Sequence, residues 1–144
     1  MRAEPRWISY EVLGLLYERQ VELFGGSPGI LDDNVVRSAL ARPQNVFHYV
    51  PEADLFDLVA AYLCGFAQKQ GFTDGNKRIG VATALVFLRV NGAPLHVPGP
   101  ELYALAMQVA RNEIDEPAVA AWMRTRTQSS PAGSTPSETV DPLS

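Results

Sequence analysis

Gln70-Gly71-Phe72-Thr73-Asp74-Gly75-Asn76-Lys77-Arg78 is the stretch on which the reading of this chain turns. It crowds glycine, acidic, amide and basic residues between two segments whose apolar residues recur at helical spacing. Leu55, Leu58, Val59, Tyr62, Leu63 and Phe66 precede it; Val81, Ala84, Leu85 and Leu88 follow. The spacing predicts two buried helices around a short turn, one from Asp54 to Gln70 and one from near Asn76 to Asn91. The second, the more densely apolar, is expected to be the central element. Gly71 is expected to close the first helix in left-handed geometry, and Asp74 or Gly75 to open the second. Such a start leaves backbone N–H groups unpaired and attracts anions. Lys77 and Arg78 place two cations where the macrodipole disfavours them by about 0.3 kcal/mol or more each, which points to a bound anion. Phosphate is the foremost candidate, with Asp74 placed to hold a magnesium ion through one carboxylate and several waters. Spacing alone leaves a plainer reading open, since Asp, Gly and Asn are ordinary caps and a Lys-Arg pair is an ordinary solvated face. A P-loop is excluded: Asn76 separates Gly75 from Lys77, Arg78 follows in place of Ser or Thr, and a helix precedes where that motif has a strand.

Moving outward, 144 residues with 47% hydrophobic content suit one domain with a sizeable core. A formal charge of −4 leaves no basic footprint for nucleic acid. One cysteine excludes an internal disulfide, and Cys64, between Leu63 and Gly65, reads as a small core residue. Met1-Arg2-Ala3-Glu4 leads into no apolar signal core and no apolar run is long enough to span a membrane, so a cytoplasmic protein is expected. Ser9 caps a predicted first helix burying Val12, Leu13, Leu16, Tyr17, Val21 and Phe24, ended by Gly25-Gly26. Asp32 or Asp33 opens a short helix that stops before Pro43. Arg42 to Ala53 then reads as an irregular loop, too apolar at Val46, Phe47, Tyr49 and Val50 to be a purely solvated connection. Pro100 opens a helix to about Arg111, and Asp115-Glu116-Pro117 signals a last one to about Thr125. His48 and His96, far apart and without clustered cysteines, make no recognisable zinc site. From Gln128 onward Ser, Thr, Pro and Gly dominate, and a disordered tail is expected from Gln128 to Ser144 after a domain spanning residues 1–127.

Phe72-Thr73-Asp74-Gly75-Asn76-Lys77-Arg78 resembles the signature of the Fic/Doc family in its Doc branch, His-x-Phe-x-Asp-Gly/Ala-Asn-Lys-Arg. Phe24-Gly25-Gly26-Ser27-Pro28-Gly29-Ile30, Ser38-Ala39-Leu40-Ala41-Arg42-Pro43-Gln44 and Phe87-Leu88-x-x-Asn91-Gly92 resemble the same branch, so the similarity covers about residues 7 to 126. The resemblance implies an all-α single domain of about six helices with a short irregular flap. It implies a toxin of a toxin–antitoxin pair that phosphorylates a protein hydroxyl, with elongation factor Tu as target, ATP as co-substrate, magnesium as cofactor and an antitoxin as partner. Carried over, Asp74 becomes the metal ligand, Gly75, Asn76, Lys77 and Arg78 the phosphate cradle, and Val46, Phe47, His48 and Tyr49 the target-docking flap. Phe72 becomes a core anchor of the loop. The inhibitory motif of the family is only loosely echoed by Ser134 to Thr139.

One position departs from the signature. Gln70 stands where the family has its general-base His, and an amide can hydrogen-bond a hydroxyl but cannot take its proton. A general-base contribution of roughly 100- to 10,000-fold is thereby missing. Three readings stay open: a pseudoenzyme, a reaction that needs no His, or a toxin disabled by substitution. The alternative in another class is a catalytically inactive Fic-like module that binds nucleotide or a partner and regulates.

Overall fold

A computed structural model describes residues 2–128; the predicted tail beyond Gln128 lies outside the described residues. Six helices follow one another: α1 (Tyr10–Phe24), α2 (Asp33–Tyr49), α3 (Leu55–Ala67), α4 (Asn76–Val90), α5 (Gly99–Ala110) and α6 (Glu116–Gln128). Among the described residues the only extended pairing is an isolated antiparallel bridge between Ile30 and Phe72. The fold is the expected all-α one. No described helix is long and apolar enough to cross a membrane.

The hub is α3, not α4 as expected. Leu58 through Cys64, with Phe66 and Ala67, are all buried, so this helix is apolar on nearly every side and packs against α2, α4, α5 and α6. Asp54 and Asp57 close its start with a reciprocal capping box, and Arg124 of α6 grips both carboxylates. Two glycines set how closely its neighbours approach. A Cβ on Gly65 would lie 3.4 Å from Ala39 of α2, and one on Gly80 of α4 would lie 3.2 Å from Leu63. Inside α3, the Tyr62 hydroxyl accepts the Ile8 amide at 3.1 Å and so anchors the N-terminal segment. Burial pushes the Tyr62 hydroxyl up to about 12 and the Cys64 thiol up to about 12.

The first helix is less buried than its spacing predicted. Leu13 is fully buried and Leu16, Tyr17 and Val21 half-buried, but Val12 and Phe24 are exposed. Ser9 caps it as expected, accepting the Val12 amide.

Pro43 does not end α2. The helix continues to Tyr49, so the irregular flap expected over Arg42 to Ala53 is instead largely the last two turns of a helix. An internal proline costs about 3 kcal/mol in isolation, but here tertiary contacts outweigh it. Pro43 is itself buried. Val46 and Phe47 pack on the core, and the Phe47 ring meets Trp7 edge-on at 5.7 Å. The Arg2 guanidinium lies over the Phe47 ring and donates to the carbonyls of Phe47, Val50 and Ala53, finishing the helix end.

Candidate active site

The loop between α3 and α4 is built by side chains that reach it from three directions. Asn76, first residue of α4, turns its amide back on the loop: Oδ1 accepts the Phe72 N–H at 3.0 Å and Nδ2 donates to the Phe72 carbonyl at 3.0 Å. Both ends of that side chain are therefore committed to backbone. The Asn76 side chain fixes the loop, and only its backbone N–H is left to face a ligand. Phe72 is buried and its ring stacks on Tyr17 of α1 at 4.1 Å. From the segment leading into α2, the Leu31 and Asp32 amides donate to the Gly71 carbonyl at 2.8 and 3.0 Å. Gly71 is not left-handed, as had been expected. It is glycine because a Cβ there would lie 2.8 Å from Val36 Cγ2 and 3.2 Å from the Val36 nitrogen.

Gly75 supplies the left-handed residue, with φ at 81°, and serves as N-cap of α4 without any side-chain cap bond. The first amide to find a helical acceptor is that of Ile79, which donates to Gly75, so the amides of Asn76, Lys77 and Arg78 are left without acceptors among the described residues. No acidic residue occupies this first turn. Lys77 has no hydrogen-bond or ion-pair partner among the described residues. Arg78 lies between two rings, 4.7 Å from the centroid of Phe24 and 5.2 Å from that of Tyr103. Free amides and two cations at one helix start form an anion-binding surface.

Asp74 stands at its edge. Oδ1 accepts the Gly75 amide at 2.8 Å, and Oδ2 lies 2.8 Å from where a Cβ on Gly26 would be. Gly26, with φ at 101°, thus gives the carboxylate room against bare backbone. Between Gly25-Gly26-Ser27, Asp74, Gly75 and Arg78 lies a cavity of about 100 Å³, space for a few waters or one phosphoryl group. Among the described residues no three His, Cys, Asp or Glu side chains cluster as a metal cage. A magnesium ion still fits, because magnesium is ordinarily held by one or two carboxylates with waters and phosphate oxygens completing the shell.

Gln70 is exposed just before this loop, with Nε2 donating to the Thr73 carbonyl at 3.3 Å and Oε1 left as an acceptor. Asp74, Gly75, Asn76, Lys77 and Arg78 are brought together with it. Val46, Phe47, His48 and Tyr49 are not. They occupy the C-terminal turns of α2, whose N-terminal end meets Gly71, and 16 residues of helix separate Asp33 from Tyr49 by about 24 Å. What borders the loop is Gly29–Asp32, where Ile30 and Leu31 are exposed. Sequence reasoning missed this lip, and missed Tyr17 and Gly26 as well. The usable signal was the doubled Gly25-Gly26, since one glycine suffices to end α1.

An all-helical domain with an uncapped, cation-bearing helix start beside a lone carboxylate is the class that fold and site define. The chain matches the Fic/DOC family over residues 7–88. It is 36% identical over 119 residues to "Protein kinase doc" of Escherichia phage P1, covering 83% of this chain and 94% of that protein. It is 38% identical over 73 residues to "Toxin Doc" of Mycolicibacterium smegmatis, covering 50% of this chain and 56% of that one. The chain belongs to the Fic/DOC family, in its Doc branch.

Proposed function

We propose that this chain is a Doc-type toxin that binds ATP with magnesium at the start of α4 and phosphorylates a protein hydroxyl, at a rate limited by Gln70. The observation that carries this is the uncapped α4 start, with three free amides and Lys77, next to a cavity that Asp74, Gly75 and Arg78 line. Relatives named as a protein kinase and as a toxin support the reaction class. Elongation factor Tu is the proposed target, a cognate antitoxin the proposed partner, and the cytoplasm the place of action.

In this reading the amides of Asn76, Lys77 and Arg78, with the Lys77 ammonium, hold phosphate oxygens. Asp74 would hold magnesium, which when bound offsets phosphate charge. The target hydroxyl oxygen bonds to the terminal phosphorus as the bond from that phosphorus to its bridging oxygen breaks, and the nucleoside diphosphate leaves. The hydroxyl proton must also leave. Gln70 Oε1 can accept a hydrogen bond and orient the hydroxyl, but the proton passes to solvent or a phosphate oxygen. Phosphoryl transfer rests mainly on positioning and charge stabilisation, so slow transfer survives this loss. The Gly29–Asp32 lip, with exposed Ile30 and Leu31, replaces the α2 end as the proposed docking edge for an extended target segment.

Gln70→His tests the reading: growth arrest on expression and ATP-dependent labelling of a translation factor are expected. A folded Gln70→His protein that binds ATP but neither arrests growth nor labels any protein would favour the second reading, a non-catalytic nucleotide-binding module.

A further inference from the structure

We infer that Tyr17 is a positioning residue of this site, holding the peptide that joins the Asp74 carboxylate to the start of α4. This inference rests on the nucleotide-binding reading above and deepens it. Tyr17 projects from α1, and its ring lies on Phe72 with centroids 4.1 Å apart and planes 15° from parallel. That stack delivers the hydroxyl to the turn. There it accepts the Gly29 amide at 3.2 Å and has one proton to give, with the Asp74 carbonyl at 3.3 Å and the Gly29 carbonyl at 3.5 Å. The Gly29 carbonyl already receives the Thr73 amide at 2.9 Å. The proton therefore goes to Asp74, the nearer oxygen and one with no other donor among the described residues.

The Asp74–Gly75 peptide is in this way held at both ends. Its carbonyl takes the Tyr17 hydroxyl, and its N–H donates to Oδ1 of Asp74 at 2.8 Å. Rotation of this peptide would swing the carboxylate off Gly26 and move Gly75 out of its left-handed conformation, tilting the free amides of the first turn together. One phenol on α1, itself in the wall of the cavity beside Asp74, thus couples the lip at Gly29, the carboxylate and the anion-binding turn. Asp74 and Gly29 are both exposed, so water can take over the hydrogen bonds if the hydroxyl is removed. A change in ligand affinity is therefore separable from loss of fold.

The experiment compares the full chain with Tyr17→Phe, which keeps the stack and loses the hydroxyl, and with Tyr17→Leu, which loses both. ATP is titrated calorimetrically with magnesium and again with the metal chelated, and amide hydrogen exchange is followed along the chain. Tyr17→Phe is expected to weaken magnesium-dependent ATP binding about fivefold, the worth of one hydrogen bond, with little change in metal-free binding. Exchange at Gly75 and Ile79, whose amides donate to Asp74 Oδ1 and the Gly75 carbonyl, is expected to quicken while protection across α3 stays level. Tyr17→Leu should extend the loss further in the same direction. If the unaltered chain binds no ATP yet exchange at Gly75 and Ile79 quickens selectively in Tyr17→Phe, the positioning role stands and the nucleotide reading falls. Equal ATP affinity with unchanged exchange would overturn the inference, as would quickening spread over every helix or weakened binding with no local quickening.

Discussion

Replacing Asn76 by alanine separates a loop clamp from a ligand contact. In the structure its amide makes two hydrogen bonds, both 3.0 Å, to the N–H and carbonyl of Phe72. Each is worth about 1 kcal/mol net, and because Phe72 is buried, its orphaned backbone groups raise that cost. Alanine is the better helix former and returns about 0.5 kcal/mol. The balance is a loss of about 1.5–3 kcal/mol, which for a domain of this size lowers Tm by about 6–12 °C. Urea denaturation with an unchanged slope and a lower midpoint is the assay, since the compactness of neither state should change. ATP affinity should fall severalfold at temperatures where the variant is folded, through loosening of the turn, without being abolished. A variant as stable as the parent to within about 0.5 kcal/mol that had lost ATP binding altogether would refute the reasoning, by making the amide a phosphate ligand.

Three further predictions follow from single contacts. Gly71→Ala drives a Cβ to 2.8 Å from Val36 Cγ2, with the Val36 backbone at 3.2 Å unable to retreat, and should destabilise by about 1–3 kcal/mol in thermal melts; a neutral change would show that the α2 start can yield. Gly26→Ala places a methyl on Asp74 Oδ2 at a φ of 101° and should weaken magnesium-dependent ATP binding at least about tenfold, whereas metal-free binding falls less; equal loss in both would remove Gly26 from the carboxylate's support. Burial raises the Cys64 thiol from 9.0 to about 12 and the Tyr62 hydroxyl from 10.0 to about 12. The unfolded chain therefore releases these protons first, and stability present below pH 9 is lost as pH rises toward 12, by up to about 1.4 kcal/mol per pH unit for each group. Urea midpoints should fall across that range and fall less in Cys64→Ala, and a midpoint level from pH 8 to 11 in the parent would contradict the burial of both groups.

Helix positions were legible because amphipathic spacing is a local signal: the apolar rows on both sides of the motif, the Ser9 cap and the Gly92 exit all lie where the chain alone places them. Pro43 misled because its penalty is also local while its compensation is not. Trp7, Arg2 and the core around Val46 come from distant positions, and their contacts carry α2 through to Tyr49. The same limit hid that Val46, Phe47, His48 and Tyr49 lie at the end of α2 remote from the motif loop. Which helix lies at the centre was equally a matter of packing, and α3 is held on more sides than α4 although both read as buried. At the site, residue types disclosed anion chemistry but not the division of labour. Asn76 read as part of the cradle, and its side-chain amide is spent on Phe72, which leaves its backbone N–H for that role. Tyr17 and Gly26 read as core and helix stop, yet both touch the motif loop from α1 and the turn that follows it.

The most direct test of the central claim is calorimetric titration of ATP with magnesium into the full chain and into Asp74→Ala and Lys77→Ala variants. The account predicts saturable one-to-one binding to the unaltered chain, strongly reduced in both variants while their melting temperatures stay close to the parent's. Absence of ATP binding to the unaltered, folded chain would contradict it and leave the start of α4 without its proposed ligand.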